Sequence, residues 1–130
     1  MSCTSPLGEP RYESARWVPS GVLQGVRYLI HRMSLGRKIE LTRRIRDIGR
    51  KVEFFEASGD ARQQLEAAAL ASEIDREYLA WGLAGVEGLV VDGTAATPEV
   101  LVSAGPIALA MEAVGLIKAE CGLSEEERKN

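Results

Sequence analysis

Glu73 and Glu77 stand one helical turn apart, and two carboxylates on one face can share acid–base work, one protonated and one ionised. They sit in an alanine-rich stretch whose charged side should face water, and solvated carboxylates in that setting do no chemistry. His31 is the single histidine. A nucleophilic triad needs serine, imidazole and acid brought together, and one histidine at a strand position gives no such signal. A metal site needs several ligands, but there is no second histidine and no Cys-x-x-Cys pair, and Cys3 and Cys121 lie far apart. No glycine-rich phosphate loop precedes a Lys-Ser/Thr pair, and no G-x-S-x-G, H-E-x-x-H or EF-hand loop occurs. The expectation is a protein that is not an enzyme, with no catalytic residue, no metal ligand and no cofactor.

Recognition is better served. Arg43, Arg46 and Arg50 recur at steps of three and four, which puts them on one side of a helix. Three readings compete for them: a solvated face or bridges to a neighbouring acidic helix, a protein-binding surface, and a nucleic-acid contact. The basic face holds no aromatics for base stacking and the whole chain is acidic, so nucleic acid is the least favoured. Trp81 also has two readings. It closes the core, with its N–H bonded to a nearby carbonyl, or it anchors a partner.

The elements that must position these residues follow from composition and spacing. At 130 residues, one domain is expected, and 45% hydrophobic content suffices for a core. Aromatics are only 5%, so that core should be aliphatic. No apolar run approaches the roughly 18 residues of a membrane span, and residues 1–14 lack the pattern of a secretory signal. With so little cysteine, a cytoplasmic location is expected. The net charge of −3 is unevenly spread. Residues 26–51 hold nine Lys/Arg against two Asp/Glu, a net of +7; residues 52–130 hold five against fifteen, a net of −10. Opposite charges can meet within the chain, between copies or with partners, so a homo-oligomer is possible.

Along the chain, residues 1–20 contain Pro6, Pro10 and Pro19 and read as an extended or mobile arm that Trp17 and Val18 can pin to the body. Residues 21–123 read as one globular domain and 124–130 as a polar tail. In 26–33, Val26, Tyr28 and Ile30 alternate with Arg27, Leu29 and His31, a strand with Leu29 on the polar side. Ser34 caps a helix over 35–57 whose seam is Leu41, Ile45, Ile48, Val52 and Phe55. After the turn at Ser58-Gly59-Asp60, a second helix over 61–81 pairs with it antiparallel. Gly82 and Gly85 end that helix, and Asp92-Gly93 joins 89–91 to 94–96 as a hairpin. Thr97-Pro98-Glu99 starts a short helix, and Gly105-Pro106 starts another with Ile107, Met111, Val114 and Ile117 or Lys118 along one side. Gly122 fits the position after its end, and Ser124 to Glu127 has capping-box spacing. The predicted class is α+β, mainly helical: a short N-terminal strand or small β-element, an antiparallel helix pair and C-terminal helices.

Two segments carry a resemblance: GVRYLIHRMSLGRKIELTRRI at 25–45, and YLAWGLAGVEGLVVDGTAATPEVL at 78–101, followed by the Gly105-Pro106 helix and the close GLSEEERKN. Together they cover about half the chain. They resemble small proteins from the structural modules of tailed phages and prophages, above all the tail assembly chaperones, in which an N-terminal β-element, a helical body, a tryptophan near a G-x-x-x-x-G turn and P-x-x-L helices follow one another. The resemblance implies binding to a tape-measure or other tail protein, such as the tail tube protein, during assembly in the host cytoplasm. It implies a partner surface on the helical body but carries over no particular residue; the partner-binding candidates Arg43, Arg46, Arg50 and Trp81 come from the residue reading above. The proline-bearing arm is not something such chaperones require. A structural connector or minor tail subunit, and a nucleic-acid-binding regulator using the basic helix, are the competing expectations.

Overall fold

The computed structural model describes residues 9–122. The Ser124–Glu127 capping box, the 124–130 tail, Cys3 and the first eight residues of the arm lie outside them. The fold is mixed α+β and mainly helical. In order it comprises β1 (Ala15–Pro19), β2 (Arg27–His31), α1 (Leu35–Glu56), α2 (Ala61–Gly82), β3 (Leu83–Glu87), β4 (Val90–Val91), β5 (Thr94–Ala95), α3 (Pro98–Ala104) and α4 (Ile107–Glu120).

β2 is the centre of a three-stranded antiparallel sheet, with β1 and β3 on its flanks. Its alternation sets its two faces. Tyr28 and Ile30 are buried on the face that α4 covers. On the other face, Leu29 lies opposite Trp17 of β1 and Gly85 of β3, and the Arg27 guanidinium sits 4.7 Å from the Trp17 ring. Part of the segment read as an arm is therefore the edge strand: Ala15–Pro19 pairs with Arg27–His31 throughout. Pro19 is tolerated because it stands at the last position of an edge strand.

β3 is a strand where the glycines suggested only a helix end. α2 passes into it without a loop residue: Leu83 caps the helix with extended backbone and is the first residue of the strand. The pairing skips Ala84, since Leu29 faces Gly85 and Ile30 faces Leu83, a bulge that lets the strand leave the helix axis. A Cβ at Gly85 would meet Leu29 and Trp17 at ordinary contact distance.

The caps form as expected. Ser34 accepts from Arg37 N, Asp60 from Arg62 N and Thr97 from Val100 N. Asp92 and Gly93 both have positive φ, 51° and 79°, and join β4 to β5. The core gathers Val26, Tyr28, Ile30, Leu41, Leu79 and Trp81 with Leu83, Leu101, Leu109, Ala113, Val114 and Ile117. On α4 the buried side is Leu109, Ala113, Val114 and Ile117, whereas Ile107 and Met111, expected to face inward, are exposed. The helix is apolar on nearly every side, so spacing alone did not mark its inner face.

α1 and α2 form the antiparallel pair, and α1 packs on little else. Of the seam only Leu41, near the body, is buried. Ile45, Ile48, Val52 and Phe55 are half-covered, because beyond the first turns α1 has α2 on one side and water on the others.

Candidate protein-binding surface

Among the described residues, the most connected titratable group is Glu112 on α4. Its Oε1 accepts from Ser20 Oγ at 2.6 Å and from Tyr28 Oη at 2.7 Å, and its Oε2 accepts from Gly21 N at 2.7 Å. Burial pushes this carboxyl up, but the hydrogen bonds from Ser20, Tyr28 and the N–H groups of Gly21 and Val22 outweigh it, and the net shift is downward. Burial, then the bond to Glu112, pushes the Tyr28 phenol well above its ordinary range, so it stays a donor. Ser20 Oγ also accepts from the N–H groups of Val22 and Leu23. A carboxylate whose oxygens are so engaged is a clasp between the β1–β2 loop and α4, not a base waiting for a proton. Sequence reading missed it, although an acid amid the apolar run of α4 was a usable signal.

The acid pair of α2 is divided between partners. Glu73 bonds Arg76 at 3.0 Å, and Glu77 bonds Arg44 of α1 at 3.2 Å. His31 is half-buried, and burial, then the nearby Arg37, lower its pKa, so it is neutral at pH 7. No group of three or more metal-ligating side chains occurs among the described residues. None of the described helices is long and apolar enough to cross a membrane.

Trp81 is 4% exposed and belongs to the core, so its ring offers no anchor to a partner. The Arg37 guanidinium covers that ring at 4.6 Å from its centre and donates through Nη2 to the Trp81 carbonyl at the end of α2. The indole N–H does not bond a carbonyl as expected: Trp81 Nε1 and Arg37 Nε are both buried and unbonded.

Arg43, Arg46 and Arg50 are all exposed on α1. At about 100° per residue, Leu35, Ile39, Arg43, Arg46, Arg50 and Phe54 fall, with Gly36 and the acidic Glu53, within one arc of about 100° whose middle lies opposite the seam. All eight are exposed, Leu35 at 76% and Phe54 at 69%. Arg46 approaches Asp47 only at 3.9 Å, and neither Arg43 nor Arg50 has an ion pair among the described residues. Arg44, off this arc, is the one that bridges to α2. The structure thus groups the three predicted arginines in one cationic stripe with apolar ends, about 28 Å long at 1.5 Å per residue, and separates them from Trp81.

The chain matches no protein-family model, no curated protein and no solved structure.

A second surface lies on the other side of α2. Two adjoining hollows, about 260 and 380 Å³, run between α2 and the α3–α4 pair and share Arg76, Leu79 and Val102. Ile107 and Met111 stand along the larger, and Ile107 is 78% exposed. Their acidic residues are Glu73, Asp75 and Glu99; their single cation is Arg76. Sequence reading missed this groove because it placed Ile107 and Met111 on the same side of α4 as Val114 and Ile117, which are buried.

Proposed function

We propose that this chain is a non-enzymatic binding protein of tailed-phage particle assembly, a tail assembly chaperone that holds a tape-measure or other tail protein in the host cytoplasm until the tail is built. One observation carries the binding part of this reading: the stripe from Leu35 to Phe54 is mainly cationic, apolar at its ends and exposed along its length, on a helix that among the described residues packs chiefly on α2. Such a face suits an acidic amphipathic segment of a client, whose apolar side meets Leu35, Ile39 and Phe54 while its carboxylates meet the arginines. The choice of a tail protein as client is supported by the resemblance of residues 25–45 and 78–101.

The test is co-expression with a tape-measure protein. The wild-type chain should raise the soluble fraction of that client. The triple variant Arg43→Glu, Arg46→Glu, Arg50→Glu should fold normally and fail to do so. A client whose solubility ignores the wild-type chain would sink the reading.

A structural connector or minor tail subunit is the second reading. The charge split between 26–51 and 52–130 favours it, since such halves can meet between subunits. Copies of the chain in purified particles would support it, and their absence would count against it.

A further inference from the structure

We propose that copies of this chain join head to tail, with the outer stripe of α1 of one copy lying in the groove between α2 and the α3–α4 pair of the next. This contact uses the stripe that a client would occupy, so self-association and client binding exclude one another; the test below contains no client and so is read apart from the assembly role.

The two surfaces are complementary in shape and in charge. The stripe is the convex face of a helix, and the groove is a concavity between helices, the pairing of a helix-in-groove contact. Arg43, Arg46 and Arg50 have no ion pair shorter than 3.9 Å among the described residues. The groove is lined by Glu73, Asp75 and Glu99 and by one cation, Arg76, with Lys118 beside Asp75. Among the described residues, Glu73 pairs with Arg76 at 3.0 Å and Asp75 with Lys118 at 3.4 Å. Exposed pairs of that kind contribute little, so exchanging their partners costs little. Apolar groups stand on both sides, Leu35, Ile39 and Phe54 on the stripe and Val102, Ile107 and Met111 along the groove. Burying both sets removes from water side chains that the fold leaves exposed.

A molecule cannot satisfy itself in this way. The seam of α1 faces α2, the stripe points the opposite way, and α2 forms one wall of the groove. The two patches are different, so the contact is heterologous, and each added copy leaves one stripe and one groove free. Growth ends in a ring or continues as a filament; a two-fold dimer does not satisfy the geometry.

Sedimentation velocity on the full chain at low and high salt, with two variants, tests this. The stripe variant is Arg43→Glu, Arg46→Glu, Arg50→Glu; the groove variant is Ile107→Lys, Met111→Lys. The wild type should form species larger than a dimer at low salt and shrink at high salt, where screening weakens the charge term. Each variant alone should be a monomer. Mixed in equal amounts, they should double in mass and go no further, because one intact stripe and one intact groove remain. Circular dichroism checks that both variants fold; Glu73→Lys with Glu99→Lys replaces the groove variant if it does not. A wild type that is monomeric at low salt, a mixture that stays monomeric, or variants that assemble like the wild type would each overturn the proposal.

Discussion

The Tyr28 hydroxyl donates to the Glu112 carboxylate at 2.7 Å, tying the centre of the sheet to the helix that covers it. Tyr28 is fully buried, and without this acceptor its hydroxyl keeps only the Leu109 carbonyl at 3.3 Å as a protein partner. Glu112→Ala should cost about 1–3 kcal/mol, the range for leaving a buried donor poorly matched. Tyr28→Phe should cost less, since Ser20 and Gly21 still bond the carboxylate. Urea unfolding of both variants measures the difference; equal losses would mean that the hydroxyl, not the carboxylate, holds the clasp.

Acid should weaken the fold in two windows. Glu112 and His31 both have folded pKa values below their ordinary ones, so the unfolded chain binds more protons and stability rises with pH. The His31 contribution is complete above its unfolded value of about 6.5, and that of Glu112 above about 4.3. Each is lost as pH falls through the lowered folded value. The urea midpoint should therefore decline first below neutrality and again in the acid range. His31→Gln should remove the first decline and Glu112→Gln the second.

Gly82 sits where α2 crosses α4. A Cβ there would lie 2.6 Å from Ile117 Cγ2 and 2.9 Å from Cγ1. Ile117 is fully buried and β-branched, so its side chain has no free rotamer into which to retreat. Gly82→Ala should cost about 1–3 kcal/mol by overpacking. Ile117→Ala alone should cost about 2–5 kcal/mol. The double variant should lose clearly less than the sum, because the new methyl enters the space that the isoleucine leaves. Additive losses in thermal unfolding would show that the clash is relieved elsewhere.

Arg37→Ala should destabilise by about 1–3 kcal/mol, through loss of a charged hydrogen bond to the Trp81 carbonyl and of the cation over its ring. Arg37→Lys should recover only part, since an ammonium cannot lie flat on the indole and donate sideways at once. Indole fluorescence should respond in both variants; an unchanged spectrum in Arg37→Ala would mean that the ring is covered by something else.

The helices were legible because their signals are local. Ser34, Asp60 and Thr97 announce helix starts, and Asp92-Gly93 announces a turn. What was not legible depends on distant partners. Ala15–Pro19 becomes a strand only because β2 offers it an edge, and Leu83–Glu87 only because Leu29 and Trp17 pack against Gly85. On α4, apolar residues on almost every side hid which face turned inward. That the three arginines share one exposed side of α1 was legible because spacing alone decides it. The groove was not, since it exists only where three helices meet.

The unbroken passage from α2 into β3 has a mechanical consequence. The 22-residue α2 is a strut of about 33 Å whose far end is the hairpin tip and whose near end is bonded straight into the sheet. No loop residue stands between them to act as a joint. A load applied at the tip is therefore borne along α2 to Trp81 and Gly82, and from there by the β2–β3 ladder, so that pulling on the hairpin loads the middle of the sheet.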